Sequence, residues 1–560
     1  MATSPRGPSP RLRIDVDEDA GGRRGSSSPS TYKRYESGAV DDDDGTFEDS
    51  EATEGSNVQQ LDGYKQTSRR GRLWAWRRRI LVILVVAGCI AIVVIFILKL
   101  TVKNSSSNTS DGSSESSKAV PRGIIRDGLP DGPVDLAVGT NPTAYPPQRC
   151  KLPNYVSQDG KIYITGSNGF KQPIGIKGIN WSGMETGNAI PYGLWTNTQN
   201  GTTVYEIASF LARNNFNSVR LPLCIESILK NRVPNTALLN TYSNRAINAK
   251  SYLTMISSLV KALAYRGISI LLDLHVLSVS DPGPKWTSAT IGQASYLAAV
   301  DALTKTFCND DHWNIIGLDL KNAPSQMTWG DKTDTDWAVA AALIGNRMLG
   351  GCPNWLAFVE GVNAQHTMTL PNGVFASYYD WWGAGLQEVA NYPLALETAN
   401  KIVYAPHYYS PSVYPQKYLL ANGTRVGDLI GAYTELDNAT LKEVVFATAD
   451  NMFGYLAKAE QAAIVLGEFG GLYTQDKHAN YTVRRVIESC IAMVQQPGFA
   501  GGYVWSLNPE SGYNYNPSDH VGLWQEGLIG PDWVSVNKPY LNALRELDNV
   551  PHLARWPCLS

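Results

Sequence analysis

Eight short apolar runs recur through the C-terminal part of the chain, and between them lie stretches of helical periodicity. That alternation constrains the fold more than any other feature. The predicted strands are Ile174–Ile179, Asn217–Leu221, Ser269–Leu274, Ile315–Leu320, Leu356–Val359, Ile402–Ala405, Ala463–Gly467 and Gly502–Trp505. In the intervening segment Tyr252–Arg266, residues Leu253, Ile256, Val260 and Leu263 fall on one helical face, and Gly267 follows as a stop. Eight buried strands, each followed by a helix, predict an α/β protein of the (β/α)8 TIM-barrel class with long loops. A doubly wound sheet would bring a glycine-rich phosphate loop after its first strand, and none is present.

The barrel pattern starts only near residue 149, so 149–560 is read as one domain. Residues 1–79 are sparse in apolar side chains and segregate their charge. Asp41, Asp42, Asp43, Asp44, Glu48, Asp49, Glu51 and Glu54 form an acidic stretch, and Lys65, Arg69, Arg70, Arg72, Arg77, Arg78 and Arg79 a basic one. Such a segment cannot bury enough surface to offset its ordering entropy, and it is expected to be a disordered tail. Ile80 to Leu98 then runs 19 residues without a charge. At about 1.5 Å per residue this is long enough for a hydrocarbon core. It lies too far from the start for a signal peptide and shows no polar face. A transmembrane helix is therefore expected at 80–100. Arg77, Arg78 and Arg79 place the N-terminus on the cytosolic side, a type II arrangement that leaves everything after the span extracellular or lumenal, at the plasma membrane or in the secretory pathway. Residues 101–148, rich in Ser and then in Pro and Gly, read as an extended stalk.

Cysteine use agrees with export. Cys89 lies inside the expected span, and Cys150, Cys224, Cys308, Cys352, Cys490 and Cys558 lie beyond it. Six cysteines allow fifteen connectivities, among which a Cys150–Cys558 bridge would staple the domain's ends. Glycosylation sequons begin at Asn104, Asn108, Asn180, Asn200, Asn422, Asn438 and Asn480, of which Asn180 falls in a strand end and is expected to stay unmodified. No Cys/His cluster suggests a metal, and no cofactor motif is found. The chain carries 48 Lys and Arg against 51 Asp and Glu, a formal net charge of −3, which gives no footing for nucleic-acid binding.

A barrel places its reactive groups just after strand C-termini. Polar and aromatic residues collect there: Trp181, Arg220, His275, Asn322, His407, Tyr409, Glu468 and Trp505. Each alone has a structural reading. Their succession at strand ends points to a site.

At this point the chain resembles glycoside hydrolase family 5, the cellulase-like retaining β-glycosidases, over roughly residues 150–540. The segments that carry the resemblance are GINWSGMETG and GLW within 178–195, NSVRLPL at 217–223, LLDLH at 271–275, GLDLKNAP at 317–324 and TWG at 328–330. DWWGAGL at 380–386, KIVYAPHYYSPSVY at 401–414, LGEFGG at 466–471 and GYVWSLNPESG at 502–512 complete it. The resemblance implies a β-glucan or related polysaccharide as substrate, with Glu468 as nucleophile. It implies that Arg220 and Tyr409 contact that carboxylate and that His275 and His407 line the central sugar subsite. Trp505 would be the sugar platform, Asn322 the partner of the sugar 2-hydroxyl, and Trp181 and Trp382 aromatics of flanking subsites.

One position departs from the family's pattern. The Glu of its Asn-Glu-Pro motif, the acid/base, is Ala323 here, between Asn322 and Pro324. Retaining hydrolysis uses two carboxyls, one to attack and one to protonate the leaving oxygen. Asp319, Glu185 and Glu360 are the candidate substitutes. Strand alternation turns Asp319 away, and Glu185 and Glu360 read more readily as structural. Three explanations of Ala323 stay open: a natural pseudoenzyme, an engineered removal of the carboxyl, or an enzyme using an unusual acid. The leading expectation is a β-glucan-directed hydrolase domain strongly impaired as written. The alternative is a carbohydrate-binding receptor at the cell surface or wall.

Overall fold

The computed structural model describes residues 123–560, except 131, 133–136, 196–200 and 460. The expected tail, membrane span and first part of the stalk lie outside the described residues. Among the described residues, no helix is long and apolar enough to cross a membrane.

Eight parallel strands form the centre: β1 (Ile176–Asn180), β2 (Ser218–Cys224), β3 (Ser269–Val276), β4 (Ile315–Asp319), β5 (Leu356–Val359), β6 (Ile402–Tyr404), β7 (Ala463–Gly470) and β8 (Phe499–Trp505). Each pairs with the next, β8 returns to β1, and β6 pairs with both β5 and β7, so the sheet closes. After a break at Ala405 and Pro406 the sixth strand resumes as His407–Tyr409, still parallel to β7. The predicted strand positions agree to within a few residues. The (β/α)8 TIM barrel expected from the apolar runs is therefore the fold.

Helices fill most of the connections: α1 (Val204–Arg213), α2 (Tyr252–Ala264), α3 (Gln293–Phe307), α4 (Trp337–Gly351), α5 (Asn438–Met452), α6 (Thr482–Met493) and the short α7 (Lys538–Ala543). Their starts are fixed by side-chain caps. Thr203 accepts from the Glu206 N–H, Ser251 and Thr254 cap each other's backbone, and Asp336 and Asp437 each accept from two N–H groups of the first turn. Such a cap is worth about 1 kcal/mol. Gly267, at φ +65°, ends α2 as its sequence suggests.

The connection from β5 to β6 differs from the expected helix. Residues 360–401 hold an antiparallel hairpin, Gln365–Thr369 with Phe375–Tyr379, and a short 3-10 turn, Gln387–Ala390. The cause is its period. Residues 375–379 alternate exposed and buried side chains, which suits a strand with one covered face.

The barrel interior is layered by strand alternation. Ile176, Leu271, Leu356, Val403 and Ala463 form an apolar floor, joined by Phe358, Val465 and Tyr503. Two residues further on along the same inward phase stand polar groups: Asp273 after Leu271, and Glu360 after Phe358. The Tyr503 ring occupies the space beside Gly178, where a Cβ would lie 2.2 Å from the ring, so glycine is required on β1 at that level. A three-stranded antiparallel sheet, Asn154–Gln158, Lys161–Thr165 and Lys171–Ile174, packs Tyr155, Ile162, Ile164 and Ile174 against the apolar floor.

The stalk expected to run to 148 is not wholly extended. Ile125 is buried, and Asp127 forms a sheltered ion pair with Arg213 of α1 at 2.6 Å. An apolar side chain and a buried charge pair dock that segment, a signal too short to register against its Pro/Gly-rich surroundings. The Cys150–Cys558 disulfide is present and joins residues 408 apart. Cys308 and Cys352, at the C-terminal ends of α3 and α4, form a second, and Cys224 and Cys490 are buried thiols. Asn180 is fully buried, which leaves its sequon inaccessible.

A crosslink that closes nearly the whole domain removes much loop entropy from the unfolded chain. The paired substitution Cys150→Ser with Cys558→Ser is expected to lower unfolding free energy by about 2–5 kcal/mol. Denaturant melts under non-reducing conditions check this; a change below ~1 kcal/mol would assign the termini's stability to packing alone.

Candidate active site

The polar layer at the top of the barrel is organised around Arg220. Its side chain comes from β2 and is fully buried. Nε donates to Asp319 Oδ2 at 3.0 Å. Nη1 donates to Asn180 Oδ1 at 3.0 Å and to Glu468 Oε1 at 2.7 Å. Nη2 donates to Asn322 Oδ1 and to Glu360 Oε1, both at 3.1 Å. Asp273 Oδ2 lies 3.1 Å from Nη1. One guanidinium thus ties together β1, β2, β3, β4, β7 and the exits of β4 and β5.

Glu468, on β7, is 5% exposed. The Tyr409 hydroxyl donates to its Oε2, and His407 Nδ1 lies 3.6 Å from the same oxygen. Burial alone would push this carboxyl up. The His407 ring, the Arg220 guanidinium, the His275 ring and the Tyr409 hydroxyl together outweigh burial and bring its pKa from 4.5 down to about 2. Glu468 is therefore ionised throughout the neutral range.

The neighbouring carboxyls behave oppositely. Glu360 and Asp319 are each fully buried, and burial raises both well above the ordinary carboxyl range. Arg220 pulls Glu360 down but does not outweigh burial and the negative field of Glu468. For Asp319, the field of Glu360 adds to burial against the pull of Arg220. Around one guanidinium, Glu468 is thus lowered while Asp319 and Glu360 are raised.

His275 is held by Asp273, which contacts Nδ1, and its ring stacks parallel to that of Trp505 with centroids 6.0 Å apart. Trp505 ends β8 half-buried, and the peptide bond after it is cis. Trp382 is 38% exposed. Trp181 is not where the resemblance puts it. It is fully buried, its indole N–H donates to the Tyr192 carbonyl at 3.0 Å, and its ring has no face open to a ligand. Its position one residue past β1 turns it outward from the barrel axis, into the core beneath the helices.

Ala323 stands half-buried beside Asn322, in the left-handed region at φ +47°. Its N–H donates to Glu360 Oε2 at 2.8 Å. The three candidate substitutes for its carboxyl are all committed elsewhere. Asp319 lies beneath Arg220 and is inaccessible. Both oxygens of Glu360 are engaged, and Gly383 closes over it, so that a Cβ at that position would lie 2.3 Å from Oε2. Glu185 turns back to accept from the Gly183 N–H at 2.7 Å. Asp273 was not among the expected site residues. Its signal was present: it stands two residues before His275 on one strand, hence on the same face. Among the described residues, no group of His, Cys, Asp and Glu is placed to hold a metal ion.

A closed parallel barrel with a low-pKa carboxylate and aromatic side chains at the C-terminal ends of its strands is built as barrel enzymes build their sites. Residues 168–511 match the family model for cellulase, glycosyl hydrolase family 5, and the chain belongs to that family. It is 28% identical over 372 residues to an endoglucanase of Paenibacillus polymyxa, covering 65% of this chain and 80% of that one. It is likewise 28% identical over 374 residues to the major extracellular endoglucanase of Xanthomonas campestris pv. campestris, covering 66% and 67%. Among solved structures, the endocellulase of Pyrococcus horikoshii, as a glutamate-to-alanine variant complexed with cellotetraose, superposes with a TM-score of 0.57. That match has 28% identity over 71% of this chain and all of the other.

A carboxyl whose pKa is raised by folding favours the fold fully below its unfolded pKa and loses that advantage as pH rises, because the unfolded chain then ionises. Asp319→Asn removes this penalty, and the amide oxygen can still accept from Arg220 Nε. The variant is expected to match or exceed the parent's stability at pH 7, and the difference should shrink as pH falls through about 4. Thermal melts from pH 3 to 8 on both proteins check it; a loss of ~3 kcal/mol or more at pH 7 would mean that Asp319 is ionised in the fold.

Proposed function

We propose that this is a membrane-anchored, β-glucan-directed glycosidase domain in which Glu468 is the nucleophile and Ala323 leaves the acid/base step without a donor. The observation that carries the reading is the opposed ionisation around Arg220. Glu468 is driven down, and so is an anion at neutral pH, while Glu360 is driven up, which suits attack by Glu468 at an anomeric carbon. In that step the Glu468 oxygen bonds to the sugar carbon as the glycosidic C–O bond breaks, and the leaving oxygen must gain a proton. A methyl side chain has none to give, and Asp319, Glu360 and Glu185 are engaged away from any leaving group. Asn322, His275, His407 and Trp505 are the groups assigned to the sugar: an amide for its 2-hydroxyl, two imidazoles and an aromatic platform.

Export of the domain is supported by its two disulfides, which persist in oxidising compartments. The uncharged run from Ile80 to Leu98, flanked by arginines on its N-terminal side, supports a single-pass anchor with a cytosolic N-terminus and an exported barrel. Residues 1–79 fit a disordered cytosolic tail, and those after the span a stalk ending where Ile125 docks.

General acid/base catalysis contributes typically about 10²–10⁴-fold. Ala323→Glu is expected to raise kcat on a soluble β-glucan by about that factor, assayed across β-1,4-, β-1,3- and mixed-linkage polymers. The unsubstituted protein should still form a glycosyl-enzyme from an aryl glycoside with an activated leaving group, seen as an intact-mass increase that Glu468→Gln abolishes. Azide should accelerate its release. An Ala323→Glu protein without gain on any of these polymers would overturn this account of the defect.

A further inference from the structure

The hairpin that replaces a helix between β5 and β6 has two unlike faces. On one, Ala376 and Tyr378 are buried; the Tyr378 hydroxyl donates to Asn451 at 2.5 Å and its ring meets Tyr418 edge-on. These contacts fix the hairpin against α5, so its other face is presented on a rigid ladder. That face carries Phe375 at 69% exposure and Tyr379 at 56%. Around them stand Gln365, Thr367, Thr369 and Ser377, also exposed, and Gln365 bonds across the strands to Ser377 at 3.2 Å. None of these six side chains is charged. Two large aromatics held open to solvent on a fixed surface mark an interaction face.

Along the chain, this face leads directly into the wall of the central site. Tyr379 is followed by Asp380, Trp381, Trp382 and Gly383, and Gly383 lies against Glu360 and His407. Trp382 is itself partly open. Counting back along the chain from Trp382, Tyr379 and Phe375 are exposed aromatics of the second hairpin strand. At about 3.4 Å per residue, Phe375 and Tyr379 stand roughly 14 Å apart, a span that accommodates an oligosaccharide. Aromatic faces pack on the C–H faces of pyranose rings, and the amide and hydroxyl side chains between them match sugar hydroxyls. The absence of charge fits a neutral polymer rather than an acidic polysaccharide or a charged peptide.

We propose that the outer face of the β5–β6 hairpin is a distal binding track for a neutral β-glucan chain, so that the barrel selects long chains over short ones. The proposal rests on the β-glucan reading of the central site. The test uses the full-length protein in detergent micelles and calorimetric titration with cellotriose and cellohexaose, repeated with the β-1,3-linked trimer and hexamer. The parent is expected to bind the hexamer of one series at least about tenfold more tightly than its trimer. The double variant Phe375→Ala with Tyr379→Ala should remove that advantage and leave trimer binding and thermal stability unchanged. Hexamer binding unaffected by the double variant overturns the track while leaving the central reading intact. No binding of any of the four sugars by parent or variant overturns both. Trp505→Ala, expected to weaken trimer and hexamer alike, separates the central site from the track.

Discussion

The arrangement around Arg220 is the constraint from which the site follows. A guanidinium removed from water is tolerated only where its donors are matched, and here Asn180, Asp319, Asn322, Glu360 and Glu468 accept from it while Asp273 lies alongside. Four carboxyls compete for one fixed cation in a buried layer. The cation's charge therefore has to be shared unequally, and the geometry decides how. Glu468 also has the Tyr409 hydroxyl and two imidazoles nearby, while Glu360 and Asp319 compete for Arg220 with full burial against them. Glu468 is driven down while Glu360 and Asp319 are driven up.

The same network explains why the site keeps its shape around Ala323. The backbone there adopts a left-handed conformation that costs an L-residue roughly 1–2 kcal/mol. It is held from both sides, by the Asn322 side chain on Arg220 and by the Ala323 N–H on Glu360. Neither bond involves the side chain at 323. In the proposed function, an alanine at this position withholds a proton donor and keeps the frame that would aim one. The buried Glu360 is what makes this possible: it accepts from the backbone at 323 and from Arg220, and so ties the turn to the buried layer.

Much of this was legible in the sequence because two periods carry it. Short β-rich runs mark the strands, and the inward phase of each run points to the residue that reaches the site: Arg220 in NSVRLPL, His275 in LLDLH, Glu468 in LGEFGG. The cross-chain content was not legible. Trp181 and Trp505 both stand at strand ends and look alike in one dimension, yet one is turned into the core and the other to the cleft. The hairpin at 365–379 was missed because its alternation is written in polar and aromatic residues rather than aliphatic ones. The docking of Ile125 and Asp127 depends on Arg213, distant in sequence. The disulfide between Cys308 and Cys352 depends on two helices ending side by side, which no spacing rule expresses.

The deficit at 323 and the integrity of everything else are best understood together. A cleft that must bind a sugar and a cleft that must also cleave it share nearly all their residues. Arg220 orders the layer and holds Asn322, and the rings of Trp505 and His275 stack; in the proposed function each serves binding as much as bond breaking. Under the proposed reaction, bond breaking draws on Glu468, which the Arg220 network itself holds, and on a proton donor, which stands outside that network. The donor's absence therefore leaves the folding constraints on the remaining groups untouched, because those constraints run through Arg220 and not through the side chain at 323. In the proposed function, a barrel built this way separates its affinity from its turnover at a single side chain, because the Arg220 network fixes the cleft whatever side chain stands at 323.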